Sequence, residues 1–263
     1  MNNTSRALPI GKVLALLLVW IGCIVFPMFM GEHHDTTLLN TIDAALSWPI
    51  LSACLVLLAF TVLTRHGRAA GLTTPFLHGA WLLIYPAVVI TTVLIHVAFG
   101  GGFNNADNFK WILVNTALVG FSEEMMFRGY VFGAHVGRIR FLWVVVLVSV
   151  FFGGVHVLNT LVTGQLRSSV AQAVMAAFSG LLFLAIRVKT RSLVPAMVVH
   201  GLFDFSVMMN LSVPGNARDP WNAAVGVLLA LSPLIFGITG IVVLSNKETV
   251  NRFLQSLPEQ DGE

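Results

Sequence analysis

The chain is built from apolar runs about as long as a bilayer is thick, and few folds accept such runs. They occupy Leu8–Met30, Asp43–Leu63, Gly79–Phe99, Trp111–Ala134, Phe141–Leu158, Ser169–Ile186, Ser192–Leu211 and Asn222–Leu244. Crossing the ~30 Å hydrocarbon core takes roughly 20 mostly apolar residues in a helix. The runs are continuous rather than alternating, so helices that close their own backbone hydrogen bonds are expected, not a barrel. Only 10% of the 263 residues are charged and 56% are hydrophobic, whereas a soluble domain is about a quarter charged. The mean hydropathy is +0.84. The expected fold class is an all-α polytopic membrane protein of about eight transmembrane helices.

Charge placement orients this bundle. With the N-terminus inside, the inner side holds Arg6, Lys12, Arg65, Arg68, Arg128, Arg138, Arg140, Arg187, Lys189, Arg191, Lys247 and Arg252. The outer side keeps only Lys110, Arg167 and Arg218. That bias predicts both termini on the cytoplasmic side. The isoelectric point near 9.2 then reflects short basic loops beside an anionic leaflet, and no nucleic-acid partner is implied. The first run begins with Arg6 and Lys12 but is too long for a signal peptide and lacks a small-x-small cleavage site, so a retained helix is expected. Cys23 and Cys54 fall inside apolar runs, where packing is the expected role rather than a disulfide or CxxC metal site. No internal repeat is visible. The simplest organisation is one transmembrane domain over residues 1–263, with a motif-bearing core over 111–211, a connector at Gly100–Lys110 and a polar tail after Leu244.

Ionisable residues inside the runs carry the functional information. They are Glu123, Glu124 and Arg128 on the fourth run, His156 on the fifth, and His200 with Asp204 on the seventh. A charge at mid-bilayer costs about 2.5–3.5 kcal/mol, so such groups face a bundle interior or a water-filled cavity. Glu124 and Arg128 are four apart and form an internal pair, which reads as structural; Glu123 is turned about 100° from Glu124 and has no partner on its own helix. Phe152 and His156, and His200 and Asp204, also share helix faces. At 1.5 Å per residue, Glu123, His156 and His200 lie at depths of roughly 10–22 Å and can meet at one level. Gly129, Gly133 and Gly137 form a small-residue stripe, and Gly153 and Gly154 offer another close-approach site. His33, His34, His66, His78 and His135 fall in loops or at run ends, where solvation is expected; His33 and His34 with Glu32 and Asp35 would make a poor metal cage.

The order Glu123-Glu124-x-x-x-Arg128, Phe152-x-x-x-His156, His200-x-x-x-Asp204, on separate helices, resembles the CPBP (CAAX protease and bacteriocin-processing, or Abi) family of intramembrane endopeptidases. The resemblance covers Trp111 to Leu211. It implies that Glu123 and His156 hold and deprotonate a water, that His200 and Asp204 line the oxyanion site, and that Glu124, Arg128 and Phe152 support the site or hold substrate. Family members carry Asn or Asp at position 204. An ionised aspartate cannot donate a hydrogen bond, so Asp204 is protonated, orients His200 or binds a cation. The last option keeps a zinc site open, with Glu123, His156 and His200 as acceptable ligands; catalysis by glutamate and histidine alone is preferred. The partners implied are the lipid bilayer and a membrane-anchored protein or peptide substrate, in a bacterial inner membrane.

Other readings fit less well. No HExxH motif appears, Ser179-Gly180 is not preceded by the glycine a GxSG motif needs, and Asp204 has no second mid-run aspartate. A proton-coupled transporter would also use intramembrane Glu, His and Arg, but the repeats that mark many such folds are absent. A catalytically silent scaffold of the same family is the third possibility.

Overall fold

The structure, a computed structural model, describes residues 8–30, 36–72, 78–213 and 220–257. Every apolar run carries a helix: α1 (Ile10–Met30), α2 (Trp48–Thr64), α3 (Ile84–Phe99), α4 (Ala106–Glu124), α5 (Phe141–Val155), α6 (Leu166–Thr190), α7 (Val194–Leu211) and α8 (Pro220–Ser245). A short α9 (Lys247–Leu254) follows. The described residues are 83% helical, with no strand among them. Helices Ala80–Phe99, Phe141–Thr163, Leu166–Thr190, Val194–Leu211 and Pro220–Ser245 are long and apolar enough to cross a membrane by length and composition; Ile10–Phe26 and Trp48–Thr64 are shorter apolar helices. Outward faces expose Leu18, Val62, Val150 and Val242, a surface that suits lipid tails and not water. The protein is an integral, multi-pass, all-α membrane protein.

Close backbone approach places the motif helices. α4 lies against α7, and α6 packs on both α5 and α8. At the first crossing a Cβ on Gly120 would stand 2.7 Å from the backbone of Gly201 and Met197, and one on Gly201 would stand 3.0 Å from Thr116 O. At the second, a Cβ on Gly153 would stand 2.6 Å from Ala173 O. Backbone cannot yield as a side-chain tip does, so any larger residue must push the helices apart. Gly120→Ala is therefore expected to cost about 1–3 kcal/mol and to slow any reaction that needs α4 and α7 in register. Thermal unfolding of the purified protein in detergent checks this; an unchanged melting temperature would show that the crossing is loose.

Several local features differ from the sequence expectation. α4 starts at Ala106, because Asn105 caps it through 3.2 Å bonds from the backbone N–H of Asp107 and Asn108, and Asp107 suits the positive helix end. The Gly100–Lys110 connector is accordingly half helix. After Glu124 the same helix widens into a π-helical stretch, Met125–Val131, before Phe132–His135. α5 tightens after Val155 into a 3₁₀ turn, His156–Asn159. Of the glycine stripe, Gly133 faces Leu8 and Gly129 faces Leu193 and Ala70, whereas Gly137 has φ +84° and serves a turn. Gly154 meets nothing within 4 Å. His66 is buried and stacks on Phe60. The pair His33-His34 with Glu32 and Asp35 lies outside the described residues.

The polar tail is structured over α9, capped where Asn246 accepts from Thr249 N–H at 2.9 Å. Its Phe253 is buried against Phe132, and Lys189 donates to Thr249 Oγ1 at 3.1 Å. Arg187, expected in an inner loop, is buried at the end of α6 with its guanidinium over Phe253. Cys54 is buried and donates to Leu118 O at 3.3 Å.

Candidate active site

α4 supplies one acid to packing and turns the next toward open space. Glu124 Oε1 accepts from Arg128 Nη1 at 2.8 Å, and both side chains are fully buried. The guanidinium lies 3.8 Å above the Phe152 ring and 5.5 Å from Phe183. A Cβ on Gly180 would collide with Arg128 Nη2 and stand 2.8 Å from Phe152, so this glycine makes the room that the cation fills. Glu124 Oε1 also meets His200 Nδ1 at 2.9 Å. The acid expected to satisfy only its own helix thus ties α4 to α7.

Glu123 faces two imidazoles. Its Oε2 is 3.9 Å from His156 Nε2 and 3.7 Å from His200 Nε2. That oxygen is buried and has no hydrogen-bond partner among the described residues. The separations exceed a direct hydrogen bond and are of the size that one bridging water spans. His156 Nδ1 donates to Phe152 O at 2.8 Å, which fixes the tautomer and turns an Nε2 lone pair toward Glu123. His200 is held on three sides: Nδ1 by Glu124, the ring face by Phe183 at 4.7 Å and 17°, and the edge by Phe152 at 5.8 Å. Its Nε2 stands 3.4 Å from Asp204 Oδ2.

A cavity of about 730 Å³ reaches this cluster, lined in part by Glu123, His156 and Asp204. Trp20 and Trp48 give it apolar walls, and the bonded amides of Asn159 and Gln172 (2.9 Å) give it a polar one. His200, Glu124 and Arg128 sit behind Glu123, away from the lining. Phe152, expected to support the site or hold substrate, is buried beneath Arg128 and carries the backbone carbonyl that orients His156.

The zinc alternative can be tested on this geometry. Two imidazoles with Nε2 facing a carboxylate form a chemically acceptable donor set. Among the described residues, however, no group of three or more His, Cys, Asp and Glu is arranged to hold a metal ion.

Sequence reasoning missed four residues that shape the cluster. Phe183 stacks on His200, Gly180 accommodates Arg128, and Trp20 Nε1 donates to the buried Ser122 Oγ at 2.7 Å beside Glu123. The polar Ser122 next to Glu123 was the one available signal; the others look like ordinary membrane-helix residues.

Fold and site together define a polytopic membrane protein with an acid–imidazole cluster buried at the floor of a cavity. Residues 105–206 match the protein-family model described as type II CAAX prenyl endopeptidase Rce1-like. The match covers the motif-bearing segment, which is thus similar to CAAX-type endopeptidases. No significant match was found among curated proteins or among solved structures.

Proposed function

We propose that this chain hydrolyses a peptide bond of a membrane-associated protein or peptide, using water activated by Glu123 and His156. The observation that carries the reading is the unpartnered, buried Glu123 Oε2 facing two imidazole Nε2 atoms at the floor of an accessible cavity. A water there gives one proton to Glu123 and is held through the other by His156 Nε2. Its oxygen bonds to the scissile carbonyl carbon, and the carbonyl oxygen takes the negative charge. His200 and Asp204, 3.4 Å apart, line the site of that oxygen. His200, between Glu124, Glu123 and Asp204, positions these acids. The C–N bond then breaks, and the proton on Glu123 passes to the leaving amine.

The test is the purified protein in liposomes with membrane-anchored peptides. Cleavage is expected, reduced by about 10²-fold or more in His156→Ala and unchanged by a zinc chelator. Cleavage lost to the chelator and restored by zinc would contradict the metal-free chemistry. Flux driven by a pH gradient without any cleavage would identify a carrier, and a cellular phenotype that survives both Glu123→Gln and His156→Ala would identify a silent scaffold.

A further inference from the structure

The cavity is lined from the half of the bundle that lies away from the basic loops. Its lining comes from the second half of α1 (Trp20, Ile24), the 36–47 connection (Asn40, Thr41), and the first turn of α2 (Trp48). It also comes from α4 before Glu124, from the end of the α5 segment, from Gln172 early in α6, and from α7 at Asp204 and Met208. α1, α5 and α7 end in this half, whereas α2, α4 and α6 begin there. At the rim Asn40 and Thr41 are exposed and Trp48 is 72% exposed.

The other side of Glu123 is closed. Met125 to Val131 are all buried, and the Arg128 guanidinium is wedged between Phe152 and Gly180. No lining residue comes from the 65–72, 136–140 or 191–193 connections or from α9. Those segments expose Arg65, Arg68, Arg138, Arg140, Lys247 and Arg252. The half that lines the cavity has Lys110 and Arg167 beside Asp43 and Asp107 among the described residues. Basic loops stay on the cytoplasmic side.

We propose that the cavity opens to the extracytoplasmic side, so the bond cut at Glu123 belongs to a peptide anchored in, or delivered to, the outer leaflet. The substrate class follows from the walls. A segment entering between Trp20 and Trp48 is apolar, and it meets the Asn159–Gln172 amide pair one turn from His156. That pair spends one N–H on itself and leaves Asn159 Oδ1 as an acceptor and the Gln172 amide N–H groups as donors. An extended peptide backbone offers the complementary pair. The substrate half of this inference rests on the endopeptidase reading; the orientation half does not.

The experiment is cysteine labelling of the full chain in intact bacterial cells, in a Cys23→Ser, Cys54→Ser background, with a membrane-impermeant maleimide. Asn40→Cys and the cavity variant Asn159→Cys are expected to label equally before and after permeabilisation, and Gln255→Cys only after it. Met208→Cys serves as the second cavity probe if Asn159→Cys does not accumulate. Labelling of Gln255→Cys but not Asn40→Cys in intact cells would overturn the orientation. Labelling of the cavity probes only after permeabilisation, with Asn40→Cys open outside, would overturn the one-sided mouth. If labelling is as expected but Glu123→Gln leaves cleavage intact, the substrate half falls and the orientation stands.

Discussion

Glu123→Gln is expected to lower the rate of peptide cleavage by about 10²–10⁴-fold while the protein stays folded. The amide has nearly the shape of the carboxylate but cannot take a proton from water. The variant should also be no less stable. Glu123 Oε2 has no hydrogen-bond partner among the described residues, and burying an unpaired carboxylate is costly. Cleavage of a membrane-anchored peptide, read beside a thermal unfolding curve, separates the two effects. A rate within tenfold of the parent would remove Glu123 as the base; a rate loss matched by a collapsed melting transition would make it structural.

The second large effect is on stability. Arg128→Met is expected to destabilise the protein by about 3–5 kcal/mol, because it removes the cation from the fully buried Glu124 carboxylate and leaves only His200 Nδ1 against it. Glu124 and Arg128 are both fully buried at 2.8 Å, and the cation otherwise rests on the Phe152 ring. Replacing both partners, as Glu124→Leu with Arg128→Met, should recover much of that loss, since two apolar residues leave no unpaired charge. The double variant should nevertheless remain slow. His200 Nδ1 loses its acceptor at 2.9 Å, and the ring is then free to turn. Chemical unfolding in detergent, with the peptide assay alongside, checks both parts. A single variant costing under about 1 kcal/mol would mean that the pair is solvated and worth no more than a surface bridge.

The sequence reading reached the helices because an apolar run of membrane length has few alternatives, and it reached the cluster because charges inside such runs are rare. The spacing of Glu124 and Arg128 also fixed their pairing, since i,i+4 neighbours share a helix face whatever surrounds them. What stayed hidden depends on contacts between helices. Nothing local says that Glu124 reaches across to His200, or that Phe183 is the ring beneath that imidazole. Gly180 looked like a failed serine-protease motif, yet its missing side chain is where the guanidinium sits. The π-helical stretch after Glu124 has no sequence mark, because one extra residue per turn is set by packing. Arg128 and Arg187 were counted with the inner-face charges although both are buried, so the orientation bias rests on the exposed basic residues around them.

The most direct measurement compares Glu123→Gln, His156→Ala and the double variant for cleavage of one membrane-anchored peptide under single-turnover conditions. Groups that share one water fail together, so the double variant should be about as slow as the slower single variant, as for other catalytic units. Losses that multiply would mean that the acid and the imidazole act at separate steps or places. A double variant that still cuts at the parental rate would leave the buried carboxylate with no part in hydrolysis.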